Sequence, residues 1–280
     1  MAATLFMLHG ASVKDISKRT WEEVNHGDVF GRAAQLAYFF FLALFPFLIC
    51  VISALSVFGF ADRGRALIFH FLSETAPPSA FGLIDDTIEG IIRAGGPLKM
   101  SIGIIAALWA ASAGMNAVID TMNAVYRVKD KRSLAKRYGI AVGLTIVIGV
   151  LLMVSIGIVL FGNTIVHVLG RGEFFAEVWS IVQWVVVLAF TLLAFSVIYY
   201  LAPDLVNREW HWITPGAVFA VAIWVLISLG LRVYLHFFNG YSGTYGTLTG
   251  VIILLLWFYM SGIAILSGGA LNGVLDRAPG

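Results

Sequence analysis

Long apolar runs separated by short polar segments organise this chain. Six of them, near 36–59, 100–125, 138–162, 178–202, 214–235 and 248–273, reach the length of about 20 residues that a helix needs to cross a bilayer. They are continuous rather than alternating with a period of two, so they predict helices and not barrel strands. The segment VKDISKRTWEEV differs. Val13, Ile16, Thr20 and Val24 recur at helical spacing with charges between them. It predicts an amphipathic helix on the inner membrane surface, with Trp21 near the headgroups. A second amphipathic helix is expected after Pro77 and Pro78. There Ile84, Ile88, Ile91 and Ile92 form one stripe, and Asp85, Asp86 and Glu89 another. It would cover the outer mouth of a bundle or simply pack there.

Composition agrees with this pattern. Hydrophobic residues make up 60% of the 280 and charged residues 12%, against about 25% charged in soluble domains. The chain therefore reads as an integral membrane protein. Its net charge of +2 does not suggest a nucleic-acid binder. With the N-terminus inside, Lys14, Lys18, Arg19 and Arg32 lie on the inner side, as do the six basic residues between Arg127 and Arg137, Arg208 and Arg277. The outer side receives Arg63, Arg65, Arg93, Lys99, Arg171 and Arg232. This imbalance puts both termini in the cytoplasm. It also explains the basic run as a topology signal, since no stacking aromatics interleave with its charges. The expected architecture is all-α, a polytopic bundle of six transmembrane helices with amphipathic interfacial helices. Residues 1–31 would be a cytoplasmic segment, 32–275 the membrane domain and 276–280 a cytoplasmic tail. Leu5–Leu8 is too short for a signal-peptide core, so insertion is expected to rely on the first span. The single cysteine, Cys50, excludes an intrachain disulfide and a cysteine zinc site.

The second span carries the polar residues that most need explaining. At about 100° per residue, Ser112, Asn116, Asp120, Asn123 and Arg127 fall within an arc of roughly 80°. A carboxylate inside a span is costly and tends to mark a pathway. Asp120 lies about 10 Å from Arg127 along the helix axis, which puts it near the inner edge of the hydrocarbon. Asn116 and Ser112 are deeper. The stripe reads either as interhelical hydrogen-bonding glue or as the lining of a polar cavity open to the cytoplasm. Gln35 and Tyr38 on the first span, and Asn272 on the sixth, are candidate partners at the same end. Pro46 is a candidate kink, serving as a hinge or as fixed curvature. Gly139 and Gly143, Gly246 and Gly250, and Gly269 and Gly273 have the four-residue spacing that permits close helix packing. Such faces could pack within the bundle or join copies into a homo-oligomer.

Three blocks carry a resemblance: RAAQLAYFFFLALFPFLI, LWAASAGMNAVIDTMNAVYRV and YSGTYGTLTGVIILLLWFYMSGIAILSGGALN, with LAPD and WHWITPGA between the last two. Over about 32–275 the chain resembles the YihY/BrkB-like inner-membrane proteins, formerly labelled ribonuclease BN. Asn123, Tyr126, Tyr245-Gly246 and Leu271-Asn272 stand where that pattern has them. Ala43 replaces the usual serine before Leu-Phe-Pro, and the usual acid before Leu271-Asn272 is missing, so no role resting on either is carried over. The resemblance implies a six-helix bundle in the bacterial cytoplasmic membrane and leaves the activity open.

Catalytic patterns are lacking in the sequence. No two of the six histidines are four apart, and His-Glu-x-x-His, Gly-x-Ser-x-Gly and a Walker loop are all absent. The expectation is a non-enzymatic protein without metal or cofactor. It would bind or move a lipid or other amphiphile, with membrane lipids as partners and no nucleic acid. A scaffold for envelope proteins is the alternative, and a lipid-modifying membrane enzyme the second.

Overall fold

The computed structural model describes residues 12–57, 97–168, 173–205, 210–237 and 247–277. Among these there are seven helices and no strand: α1 (Val13–His26), α2 (Val29–Val57), α3 (Pro97–Val125), α4 (Leu134–Val168), α5 (Glu173–Leu201), α6 (Pro215–Phe237) and α7 (Thr247–Asp276). The segments Leu134–Val159, Glu177–Leu201, Pro215–Tyr234 and Gly250–Asp276 are long and apolar enough to cross a membrane, and Val29–Leu44 is a shorter apolar stretch. The amphipathic helix expected within 60–98 falls almost wholly outside the described residues, and so do Cys50's side chain and the outer segment around Tyr245-Gly246.

Helix α1 starts where local chemistry permits. Ser12 is extended, and its side chain accepts a hydrogen bond from the Lys14 N–H at 3.4 Å. Asp15 in the first turn and His26 in the last complement the helix dipole. Its buried face is Ile16, Thr20, Glu23, Val24 and Gly27, which is the expected stripe with a carboxylate added. Trp21 is exposed and meets Phe30 edge-on at 6.4 Å. The helix packs on α7 and α2.

Helix α2 begins at Val29, seven residues before the expected span. Gly31, Arg32 and Gln35 make this turn look polar, but Val29, Ala33, Leu36 and Ala37 form a continuous buried face. The helix stays unbroken past Pro46, whose side chain lies outside the described ones. Helix α4 likewise exceeds its expected span of 138–162 at both ends.

Helix α2 packs between α3 and α7, α6 lies on α7, and α4 pairs with α5 and α3. The shared core includes Leu36, Ile119, Met122, Leu144 and Leu266. At the α6–α7 crossing the backbones nearly touch. A Cβ on Gly216 would overlap the Gly268 carbonyl, and one on Gly268 would lie 2.5 Å from the Tyr199 hydroxyl and 2.7 Å from Ala220 Cβ. Only glycine fits at either position. Gly269 and Gly273 face Met122 and Tyr126 on or beside α3, so this pair packs inside the bundle, whereas Gly139 and Gly143 have nothing within 4 Å.

Candidate functional site

One end of the bundle holds most of the described polar chemistry, and all six long helices bring a terminus to it. The Glu23 carboxylate of α1 accepts hydrogen bonds from Arg127 Nε at 2.8 Å, just after α3, and from Arg277 Nη2 at 2.9 Å, just after α7. Arg277 also donates to the Tyr126 carbonyl at 3.1 Å. The Glu23 side chain is 5% exposed while its two arginines are 52% and 40% exposed. The carboxylate is therefore buried and its counterions remain partly hydrated.

Arg127 occupies the left-handed region, with φ 56°. The N–H of Val128 donates to the Asn123 carbonyl at 2.9 Å and that of Arg127 to the Ala124 carbonyl at 3.1 Å. This is the Schellman ending, in which glycine is the usual occupant of the left-handed position. The turn directs Arg127 to Glu23 and away from Asp120.

The loop between α3 and α4 is fastened to the end of α5 by Arg132, whose side chain is 2% exposed. Its guanidinium donates to both carboxylate oxygens of Asp130 and to the carbonyls of Leu201 at 3.2 Å and Ala202 at 2.8 Å. It thus occupies carbonyls at a helix C-terminus that have no partner within the helix. Hydrogen bonding from Arg132 holds the Asp130 carboxyl below its ordinary range. Asn123 spans the same junction. It donates to Asp130 Oδ2 at 3.2 Å and accepts the Asp204 N–H at 2.8 Å.

Asn272 performs a cap in trans. Its Oδ1 accepts the Gly216 N–H at 2.8 Å and its Nδ2 donates to Thr214 Oγ1 at 3.0 Å, serving the first turn of α6. It is 4% exposed and does not reach the polar stripe of α3 by any described bond.

The remaining stripe residues follow a different line. Asn116 donates to the Ser112 carbonyl at 3.1 Å and accepts from Arg137 Nε of α4 at 3.3 Å. Arg137 Nη2 also pairs closely with Asp120. The Asp120 side chain is 54% exposed and that of Arg137 22%. Ser112 is 4% exposed, and its hydroxyl has no hydrogen-bond partner among the described residues. Exposure therefore falls steadily from Asp120 through Asn116 to Ser112. Gln35 and Tyr38 of α2 are exposed, and Tyr38 packs edge-on against Phe39 at 5.7 Å.

The stripe thus divides. Asn123 and Arg127 tie loops together, Asn272 caps a neighbouring helix, and Ser112, Asn116 and Asp120 form a line with Arg137. Sequence reasoning did not single out Glu23, Arg132 or Arg137. Glu23 sat in a charge-rich helix, and both arginines sat in a run that already served as a topology signal. The available clue was Glu23 itself, a carboxylate one residue from Val24 on the apolar stripe. Among the described residues there is no group of three His, Cys, Asp or Glu side chains able to hold a metal ion.

Comparison with known proteins places the chain in a family. Residues 20–279 match the family model described as "Virulence factor BrkB". The chain is 35% identical over 250 residues to the ribonuclease-like protein YfkH of Bacillus subtilis, covering 88% of this chain and 90% of that protein. It is 26% identical to the UPF0761 membrane protein Smlt0865 of Stenotrophomonas maltophilia over 260 residues and, over 259 residues, to its counterpart XOO3417 of Xanthomonas oryzae pv. oryzae. In both cases the match covers 90% of this chain but only 58% of the relative. No solved structure matches the chain. With its long apolar helices and this match across most of its length, the chain is a multi-pass membrane protein and belongs to the BrkB family.

Proposed function

We propose that this protein binds a lipid or other membrane amphiphile, as a carrier or as its receptor, with the headgroup on the line from Asp120 to Ser112. In this reading α2 to α7 are six spans of the bacterial cytoplasmic membrane. The end that carries Glu23, the basic loop and Arg277 faces the cytoplasm, in keeping with the excess of Lys and Arg assigned to that side. One observation carries the proposal: the gradient in exposure along a single helix face, ending in a buried hydroxyl that has no partner among the described residues. A buried polar group in this condition is uncommon and costs about 1–3 kcal/mol. A ligand hydroxyl or phosphate oxygen reaching Ser112 would satisfy it.

The test is reconstitution into vesicles with headgroup-labelled lipid, comparing the natural sequence with S112A, N116A and D120A. Retained bound lipid and headgroup translocation are expected to fall in all three while the helical content holds. Unchanged lipid retention and translocation in correctly folded variants would refute the reading.

A second reading, a scaffold for envelope proteins, has its own support. The loops at the basic end are held by Glu23, Arg132 and Asn123, and this fixed layer presents the exposed Lys129, Lys131 and Lys136. A scaffold would tolerate S112A and N116A and lose partner binding on charge reversal of those lysines.

A further inference from the structure

We infer that the Asp120–Arg137 pair selects a zwitterionic headgroup, a phosphodiester bearing a primary amine, over an anionic one. The inference rests on the lipid-binding reading above and adds the class of lipid to it.

The first argument is depth. Asp120 is five residues inside the end of α3 and Arg137 three inside the start of α4, or about 8 Å and 5 Å at 1.5 Å per residue. The headgroup region occupies roughly 5–8 Å of each leaflet, taking about 30 Å of hydrocarbon within a bilayer of about 40–45 Å. If the helix ends lie at the water boundary, Arg137 stands among the lipid headgroups and Asp120 at their inner edge, so the pair straddles the zone a headgroup occupies. The Asp120 side chain is 54% exposed there, so a lipid can reach the pair sideways without entering the bundle.

The second argument is charge. The site presents one carboxylate and one guanidinium in contact, partly exposed, with Asn116 Oδ1 on the guanidinium and the Ser112 hydroxyl further in. A phosphodiester can replace Asp120 on Arg137, where the guanidinium offers forked donors. An ammonium on the same headgroup then meets the carboxylate that the arginine has released. The exchange turns one ion pair into two and leaves no charge unpaired. A purely anionic headgroup can satisfy Arg137 only by placing its phosphate beside an uncompensated Asp120. A quaternary amine supplies the positive charge but no N–H for the carboxylate. Opening the existing pair is cheap, because exposed pairs contribute little net stability. Lys136 precedes Arg137 but diverges from it by about 100° around the helix, so it does not neutralise Asp120 from the same face.

The test uses the full chain in detergent, titrated with phosphatidylethanolamine, phosphatidylcholine and phosphatidylglycerol, with lipid adducts counted by native mass spectrometry. Phosphatidylethanolamine is expected to bind about fivefold more tightly than the other two, the ratio corresponding to one partly exposed charge pair. D120N should erase that preference and raise phosphatidylglycerol binding. R137Q should weaken all three lipids. The exchanged pair, D120R with R137D, should recover the preference for phosphatidylethanolamine and thereby exclude a folding defect as the cause. Lipid binding that falls in S112A and N116A but shows no headgroup preference would overturn the inference and leave the lipid-binding reading standing. Binding indifferent to every one of these variants would overturn both.

Discussion

Removing the Glu23 carboxylate should release α1 from the bundle without unfolding the rest. The structure allows the size of the effect to be worked out. Two charge-assisted hydrogen bonds, at 2.8 and 2.9 Å, end on a side chain 5% exposed. Breaking a fully buried pair by removing one partner costs about 3–5 kcal/mol. Here the partners left behind are Arg127 and Arg277, 52% and 40% exposed, and water can take over much of their solvation. The Glu23 charge itself is also no longer buried. The net loss for E23A is therefore about 2 kcal/mol, which shifts the docking equilibrium of α1 about thirtyfold. Hydrogen–deuterium exchange resolved by peptide is the suitable assay, because local opening is read directly from amide protection. Amides from Ile16 to His26 should exchange about thirtyfold faster in E23A, and those of α3 to α7 should be unchanged. E23Q, which keeps the shape and one acceptor, should fall between. No change at α1, or an equal acceleration across all helices, would refute the assignment of Glu23 as the local latch.

Two further perturbations follow from geometry. G268A should lower the thermal midpoint in detergent, since overpacking a close crossing costs about 1–3 kcal/mol and the added methyl would press on the Gly216 carbonyl and Tyr199. G143A, where nothing lies within 4 Å, should leave the midpoint unchanged or raise it, because alanine is the better helix former. Asp130 makes a prediction about pH. Its folded pKa is depressed by the hydrogen bond from Arg132, so the stability it contributes is complete above the unfolded value of about 3.9 and is lost as pH falls through the folded value. Protection of the α3–α4 loop against hydrogen exchange, after correction for the intrinsic rate, should therefore fall below about pH 4. In D130N that dependence should be absent.

The helices were legible because hydrophobic length is a local property. Each of the six expected spans overlaps a described helix, and the stripe of Ile16, Thr20 and Val24 proved to be the buried side of α1. The ends were less legible. Val29 to Gln35 mixes small, apolar and polar residues without a clean stripe, and only the neighbouring α7 reveals which side is inward: a Cβ on Gly262 would lie 3.2 Å from Ala33 Cα. The polar residues were the least legible, because their partners are distant in sequence. Asn272 meets Gly216 across 56 residues and Asn123 meets Asp204 across 81. A helical wheel correctly groups Asn116 and Asp120, which share Arg137 of α4, with Ser112, whose carbonyl accepts from Asn116. It cannot show that Asn123, on the same arc, lies low enough to meet the loop beyond the helix end. Nor could charge counting separate Arg137, which turns back along α3, from Arg132, which closes the end of α5.

The contact between Glu23 and Arg277 spans 254 residues, and this has a consequence for biogenesis. At a synthesis rate of about 5–20 residues per second, the arginine leaves the ribosome roughly 13–50 seconds after the carboxylate. Until then the first helix has at most one of its two clasps, and it stays free to rest on the lipid surface while later segments insert. Its final docking reports that synthesis has passed Arg277, so a translation product stopped before that residue should display a loose α1 to the quality-control proteases.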